Sequence, residues 1–315
     1  MKTKLPLLLA PCLLLAALAC QTKEAGNATT GATENTAQPA ANANATPDAS
    51  AKSALKPGEI PFKGFPTVNT TAKTDEVVLC PSYNWIQDAV TKGPDQVTFI
   101  FYHQKMIAPG EVESEVEFLG PGKQKVPNAY IIPIPAGQTA SVGDIVLTWW
   151  QSGSGMNRAI VVEASNPSEP TVRYLDIGYD NPAKSRDGKT TIGQMDEKLK
   201  PNSFVKINSP WEPGTTIAVN DGASRKKMQV IRVAGEKVLA LGSVGKLQVY
   251  DKSACTPLPL KPNVKAGDKV QVPKYGINFA EATVTKVDAK IGRVFVKIGT
   301  DTEEEAIAFG DVMAP

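Results

Sequence analysis

The sequence predicts an all-β body built of about four small closed sheets in tandem, and two observations carry that prediction. Apolar residues fall in short Val- and Ile-rich runs that alternate with polar ones and are cut by Gly, Pro, Asn and Asp, the period and punctuation of strands. Val97-Thr98-Phe99-Ile100-Phe101, Val172-Arg173-Tyr174-Leu175 and Val294-Phe295-Val296-Lys297-Ile298 are examples. A turn leading into an alternating strand also recurs, at roughly 60-residue spacing. Helical periodicity is scarce, with single turns expected only at residues 195–199 and 303–307.

The recurring start is Gly143-Asp144-Ile145-Val146-Leu147, Gly214-Thr215-Thr216-Ile217-Ala218-Val219 and Gly267-Asp268-Lys269-Val270-Gln271-Val272. Asp75-Glu76-Val77-Val78-Leu79 fits without its Gly. A polar or aromatic loop then leads to a second alternating strand, in order Ala89-Val90-Thr91, Ala159-Ile160-Val161-Val162, Met228-Gln229-Val230-Ile231-Arg232-Val233 and Ala282-Thr283-Val284-Thr285-Lys286-Val287. A third strand follows, and two units end on closing segments, Leu199-Lys200-Pro201 and Val312-Met313-Ala314-Pro315. The units expected are residues 58–138, 139–210, 211–262 and 263–315. Closing each sheet on itself removes edges that would invite aggregation.

Gly-Asp-x-Val, an aromatic loop, Ala-x-Val, Val-x-Val and an acidic-apolar close resembles SH3-like barrels of the Tudor type. The last unit carries this most fully: Gly267-Asp268-Lys269-Val270, Ala282-Thr283-Val284, Val294-Phe295-Val296, then Glu305-Ala306-Ile307-Ala308-Phe309-Gly310-Asp311-Val312. Tyr83 and Trp85, Trp149 and Trp150, and Tyr275 and Phe279 lie on or beside the loop after the first strand in three units. The resemblance implies that this loop forms an aromatic groove for peptides, methylated cations or glycans, each stacking or cation–π contact being worth ~0.5–2 kcal/mol. The competing role for these aromatics is packing between barrels. In Leu147-Thr148-Trp149-Trp150 strand alternation sends one Trp inward and the other outward. Trp211, between Pro210 and Glu212-Pro213, is expected to pack two units together.

The N-terminus has a different character. Lys2 and Lys4 precede an apolar run over residues 5–19, and Ala17-Leu18-Ala19-Cys20 closes it. A basic start, a short apolar core and small residues before the cut make a secretory signal over residues 1–19, too short for a spanning helix. The ending resembles the lipobox of bacterial lipoproteins, with Ala17 where Leu is usual. It implies that Cys20 is lipidated and that acyl chains, at ~0.8 kcal/mol per buried methylene, hold the chain on a membrane. Gln21, rather than the Asp that marks inner-membrane retention in such lipoproteins, implies the outer membrane of a double-membraned bacterium. Residues 20–57 hold no aromatic, and Leu55 is the sole large aliphatic residue after Cys20. Such a segment cannot bury enough apolar area to offset chain entropy, so a disordered linker reaching ~30–35 Å on average is expected.

Composition narrows the chemistry. Without Lys2 and Lys4 the 34 basic residues of the 315-residue chain fall to 32, matching 32 acidic ones. No basic surplus argues for nucleic acid. Of four Cys, Cys12 leaves with the signal and Cys20 is the anchor. Cys80 and Cys255 remain, either as a disulfide or as two buried thiols. No later stretch approaches the ~20 apolar residues that cross a bilayer. His103, the single histidine, is expected in a solvated turn after a strand. Neither His-x-x-x-His nor Cys-x-x-Cys occurs, so no structural zinc is expected. Asp176, Asp180 and Asp187 lack the alternating oxygens of a calcium loop. Gly242-Ser243-Val244-Gly245-Lys246 has its glycines too close together for a phosphate loop and reads as a hairpin turn. Ser152-Gly153-Ser154-Gly155 joins strand to strand, not strand to helix, and is no nucleophile elbow. No catalytic residues, cofactor or metal are expected. The functional expectation is a non-catalytic envelope module for a protein or cell-wall glycan partner, with a carboxylate-pair hydrolase as the remaining enzyme class.

Overall fold

A computed structural model describes residues 55–178, 193–222 and 224–314; the signal, Cys20, most of the linker, Asp180 and Asp187 lie outside them. Within the described residues the all-β architecture holds, as three antiparallel sheets. The first contains β1 (Val77–Pro81), β2 (Phe101–Ala108), β3 (Glu113–Phe118), β4 (Gly122–Pro127) and β5 (Ile132–Ile134), in the order β4-β3-β2-β1-β5. The second contains β6 (Ile145–Trp149), β7 (Met156–Glu163), β8 (Thr171–Tyr174), β9 (Asp196–Lys198) and β10 (Val205–Lys206), in the order β10-β6-β7-β8-β9. The third has nine strands. Its first half is β11 (Thr216–Asp221), β12 (Ser224–Ala234), β13 (Lys237–Gly242), β14 (Leu247–Asp251) and β15 (Cys255–Pro257). Its second half is β16 (Lys269–Lys274), β17 (Asn278–Asp288), β18 (Arg293–Ile298) and β19 (Glu305–Ala308), joined to the first through the Lys226–Asn278 pairing of β12 with β17.

These nineteen strands form one motif four times over. In three repeats the fifth strand returns to pair with the first, as β5 does with β1, β10 with β6 and β15 with β11. In the fourth a Gln271–Met313 bridge takes that place. Each second strand bulges where it meets the third, between Met106 and Ala108, Val161 and Glu163, Val230 and Arg232, and Val284 and Lys286. A bulge bends its strand and steepens the twist, which curls a five-strand meander toward closure. The units are therefore small and barrel-like.

The turn that opens each repeat explains the recurring Gly. Gly143, Gly214 and Gly267 sit at φ 86°, 89° and 92°, where a Cβ is strained, and each donates its N–H to the bulged strand at 2.8 Å, to the carbonyls of Val161, Val230 and Val284. Asp75 fills the same place in the first repeat at φ 68°, its N–H bonding the Met106 carbonyl at 2.9 Å. Asp is one of the few residues that tolerate this region.

Several local expectations are corrected. Residues 89–91 are not a strand: Tyr83–Thr91 forms the helix α1, with Ile86 and Ala89 buried three residues apart on one face. Three residues are too few to separate strand from helix period, and α1 fills the loop between β1 and β2. Only Phe101 of residues 97–101 is in a strand. The expected helical turns at 195–199 and 303–307 are instead occupied by β9 and β19, edge strands that pair with β8 and β18. Trp211 packs on the third repeat's own core beside Ile217 and Val230, with Lys252 Nζ 4.9 Å from its ring centroid, rather than between two units.

The core is continuous across repeats. Val146, Ala159 and Val161 face a cluster inside the second repeat, while Ile145, Leu147 and Ile160 on the opposite faces of the same strands join a larger cluster drawn from all four repeats. Strands buried on both faces read as unbroken apolar runs. That is why Ile145-Val146-Leu147 and Ala159-Ile160-Val161 lack strict alternation.

Candidate functional site: a cleft where four repeats meet

Three arginines tie the repeats together, Arg158 and Arg293 buried and Arg232 half-buried. Arg232 on β12 donates to the carbonyls of Asn128 and Ile131 in the first repeat. Among the described residues no carboxylate forms an ion pair with it, and burial pulls its pKa down to about 10. Arg293 on β18 donates to the carbonyls of Leu175 at 2.8 Å, Ile177 at 2.9 Å and Tyr174 at 3.1 Å in the second repeat.

Arg158 on β7 is the centre of the largest network and is 2% exposed. Its Nη2 meets Asp176 Oδ1 at 2.5 Å and Asp311 Oδ1 at 3.0 Å, and its Nη1 meets Thr216 Oγ1 at 3.1 Å. Thr216 in turn donates to Asp311 Oδ1 at 2.6 Å, and Lys227 Nζ contacts Asp311 Oδ2 at 2.6 Å. Burial alone would raise the Asp311 pKa, but Arg158 and Lys227 outweigh it and hold the carboxyl well below the usual range. Burial likewise disfavours charge on Arg158, and Asp176 and Asp311 more than reverse it. Gly310, at φ 86°, leaves room for the guanidinium, because a Cβ there would lie 2.6 Å from Nη1. Asp176, weighed above for calcium, is thus committed to an arginine.

Arg158, Asp176, Thr216 and Lys227 of this network line a cleft of about 600 Å³ to which every repeat contributes. The first supplies the extended residues 98–101, and the second the β6–β7 loop at residues 154–156. The third supplies the β13–β14 turn at residues 242–245, and the fourth Tyr275 and Gly276 of the β16–β17 turn. The turn at 242–245 is the hairpin the sequence predicts. The Phe99 N–H donates to the Gly245 carbonyl at 2.7 Å, and Lys246 Nζ reaches the carbonyls of Asp95 and Val97, both at 3.0 Å. The rim is apolar and wet: Val244 is 64% and Tyr275 83% exposed, with Ile100 beside them. Large exposed apolar side chains gathered around a polar floor mark a binding surface more than single scattered ones do.

The six aromatics singled out by sequence do not form one groove. Tyr83 packs on Phe118 and Trp85 on Tyr102, with centroids 5.9 and 5.8 Å apart. Trp150 is a core residue whose Nε1–H bonds the Gln194 carbonyl at 2.9 Å, while Trp149, on the other face, stacks against His103 at 4.5 Å with ring planes 15° apart. Phe279 packs on Ala218, Leu258 and Met313. Tyr275 alone among the six lines the main cleft. Sequence reasoning missed Arg158, Lys227 and Asp311; the signal available was an arginine inside Asn157-Arg158-Ala159-Ile160-Val161, where an apolar strand would not place an unpaired charge. Cys80 and Cys255 are both free and lie on β1 and β15, so the disulfide weighed between them is not formed. Burial pushes the Cys255 thiol up to about 11 and the Cys80 thiol higher still.

No family model matches the chain. No curated protein matches it either. Among solved structures, the chain is similar to the four MBT repeats of Drosophila melanogaster Sfmbt in complex with a peptide, at 9% identity over 81% of this chain and 93% of that one, with a TM-score of 0.15.

A second cleft of about 480 Å³ lies beside the His103–Trp149 stack, with Lys200, Asn202 and Glu76 in its wall. His103 is in the middle of β2, paired opposite Leu79, not in a turn after a strand. Burial and the nearby Lys200 charge both lower its pKa. With one histidine in the chain, its imidazole gives a single titrating proton resonance. The expected midpoint is below the ordinary value of about 6.5, moving upward in Lys200→Gln. A midpoint at or above 6.5 in the parent would contradict the packing described.

Proposed function

We propose that the protein is a lipid-anchored envelope protein whose four-repeat body is a non-catalytic binding or scaffolding module. Acyl chains on Cys20 hold it to a membrane, the outer one in a double-membraned bacterium, and residues 21–57 act as the tether. The observation that carries the binding role is the cleft: four repeats converge on one concavity with an exposed apolar rim. Asp176, which lines it, and Asp311 of the same network are both tied to Arg158, which leaves neither free as the acid or base of a hydrolase. A cell-wall glycan is the second reading, favoured by Tyr275, whose largely exposed ring suits stacking on a sugar.

The test has two parts. A clickable palmitate analogue is expected to label the full chain expressed with its own leader, and not Cys20→Ser; equal labelling of both removes the anchor. A photo-crosslinking side chain at Val244 is expected to give a discrete adduct in cells that is lost in Tyr275→Ala. The same group at Leu119, fully exposed and away from the cleft lining, serves as control. Isolated cell-wall sacculi retaining the parent chain but not Tyr275→Ala would select the glycan reading. No adduct at Val244 and no retention on sacculi would end the module reading.

A further inference from the structure

One side chain on the cleft rim is at odds with its own turn. Strands β16 and β17 are joined through Lys274-Tyr275-Gly276-Ile277, where the Ile277 N–H donates to the Lys274 carbonyl at 3.2 Å. Tyr275 and Gly276 both have positive φ, at 54° and 69°. Two consecutive residues at positive φ are the pattern that Asn-Gly and Asp-Gly suit, because a bulky side chain is strained there. Among the described residues the other non-glycines in this region are Asp75 and Asn202, the types that tolerate it. Tyr275 is the exception, and its packing does not offset the strain. Its ring is largely exposed, and its hydroxyl makes no hydrogen bond among the described residues. The cation beside the ring, Lys274 Nζ at 5.5 Å from the centroid, is itself held by Asp301 at 3.0 Å. A strained residue that adds nothing to the core marks a contact made outside the fold, and this one lines the four-repeat cleft.

We infer that Tyr275 is the platform on which the cleft seats the ring of an uncharged sugar. This rests on the binding-module reading above and names its ligand. The ring offers a flat apolar face with a polar tip, which suits the C–H face and hydroxyl edge of a pyranose. The rest of the lining agrees. Thr98, Ser154 and Ser243 line the cleft, and their hydroxyls make no hydrogen bond among the described residues, so each can donate to or accept from a sugar hydroxyl. The charged groups are already paired: Arg158 meets Asp176 and Asp311, and Lys227 meets Asp311. A carboxylate, phosphate or ammonium on the ligand would find its counter-charge engaged. One aromatic face, free hydroxyls and compensated ions together select a neutral saccharide.

The experiment titrates the full chain with neutral oligosaccharides and with uronic-acid oligosaccharides of the same length, and measures urea midpoints alongside. Neutral sugars are expected to bind at millimolar concentration or below, and the acidic ones about tenfold or more weakly. Tyr275→Asn, which suits the turn, is expected to raise the urea midpoint while weakening the sugar by about tenfold or more. Tyr275→Phe is expected to keep binding to within about threefold of the parent, because the stacking face remains. A midpoint in Tyr275→Asn that falls or does not move would give the tyrosine a part in the fold and overturn the inference. Sugar binding unchanged in that variant, a preference for the acidic sugars, or no sugar bound at all would overturn it too. A protein adduct at Val244 that is lost in Tyr275→Ala, with no sugar bound, would overturn it while leaving the module reading standing.

Discussion

Replacing Arg158 with Met is expected to destabilise the protein by ~3–5 kcal/mol, measured as a shift in the urea midpoint at pH 7. The volume is nearly kept, so the loss comes from charge: Asp311 is 7% and Asp176 21% exposed, and each loses its guanidinium partner. Lys227 still holds one oxygen of Asp311, which is why the loss does not exceed that range. Converting both carboxylates as well, in Arg158→Met with Asp176→Asn and Asp311→Asn, is expected to recover part of the stability, because unpaired buried charge costs more than its absence. A loss below ~1 kcal/mol in the single variant would mean that the network is solvated and weak.

The pH dependence follows from the same group. Asp311 has its folded pKa depressed below the unfolded value of about 3.9, so the unfolded chain takes up the proton first. Its contribution is fully present above that pH and is lost as pH falls toward the folded value. In Arg158→Met the Asp311 carboxylate no longer gains from the guanidinium, and its protonation at low pH relieves the penalty. The stability gap between parent and variant is therefore expected to narrow below about pH 4. A gap constant from pH 7 to pH 3 would place the lost stability in packing alone.

How much of this was readable from residues depends on whether the signal is local. The opening turns were, because Gly143, Gly214 and Gly267 occupy a backbone region that few other residues tolerate, and the bond each makes to the bulged strand repeats. The first repeat shows the limit. Asp75 replaces the Gly, and α1 stands where the other repeats go directly to their second strand, so a three-residue alternation at 89–91 took the place of β2. Helix and strand periods agree over so short a run, and only Ile86 and Ala89 packing together separates them.

The cleft was not legible, and for a physical reason. Its walls come from residues 98–101, 154–156, 242–245 and 275–276, short segments that lie far apart in sequence and share no motif. What places them is the packing of outer strand faces and the three arginine ties. Arg158 stands beside the apolar run Ala159-Ile160-Val161, Arg232 among Val230, Ile231 and Val233, and Arg293 before Val294-Phe295-Val296, which announces a sequestered charge but not which repeat supplies its partner. The aromatics misled because size draws them into cores: strand alternation correctly separated Trp149 from Trp150, yet the outward one meets His103 rather than open solvent.

Trp150 is where that distinction has its largest consequence. Trp150→Ala is expected to cost ~3–5 kcal/mol, the range for removing a large buried aromatic. The ring is held from two sides by chain that has no side chain to spare: a Cβ on Gly153 would fall 2.2 Å from it, and one on Gly193 1.9 Å. Removing the ring leaves a void lined by Val146, Tyr174 and Phe204, and strands the Gln194 carbonyl that its Nε1–H now satisfies. The neighbouring Trp149→Ala should cost less, since that ring is only partly buried, but it strips His103 of its stack and is expected to bring the imidazole midpoint up toward about 6.5. The pair thus separates stability from environment at adjacent positions: one substitution moves the unfolding midpoint strongly, the other mainly the histidine titration. Trp150→Ala that left the unfolding midpoint unchanged while abolishing capture of a partner would instead place this residue on a ligand-facing surface, and the core assigned to the second repeat would have to be redrawn.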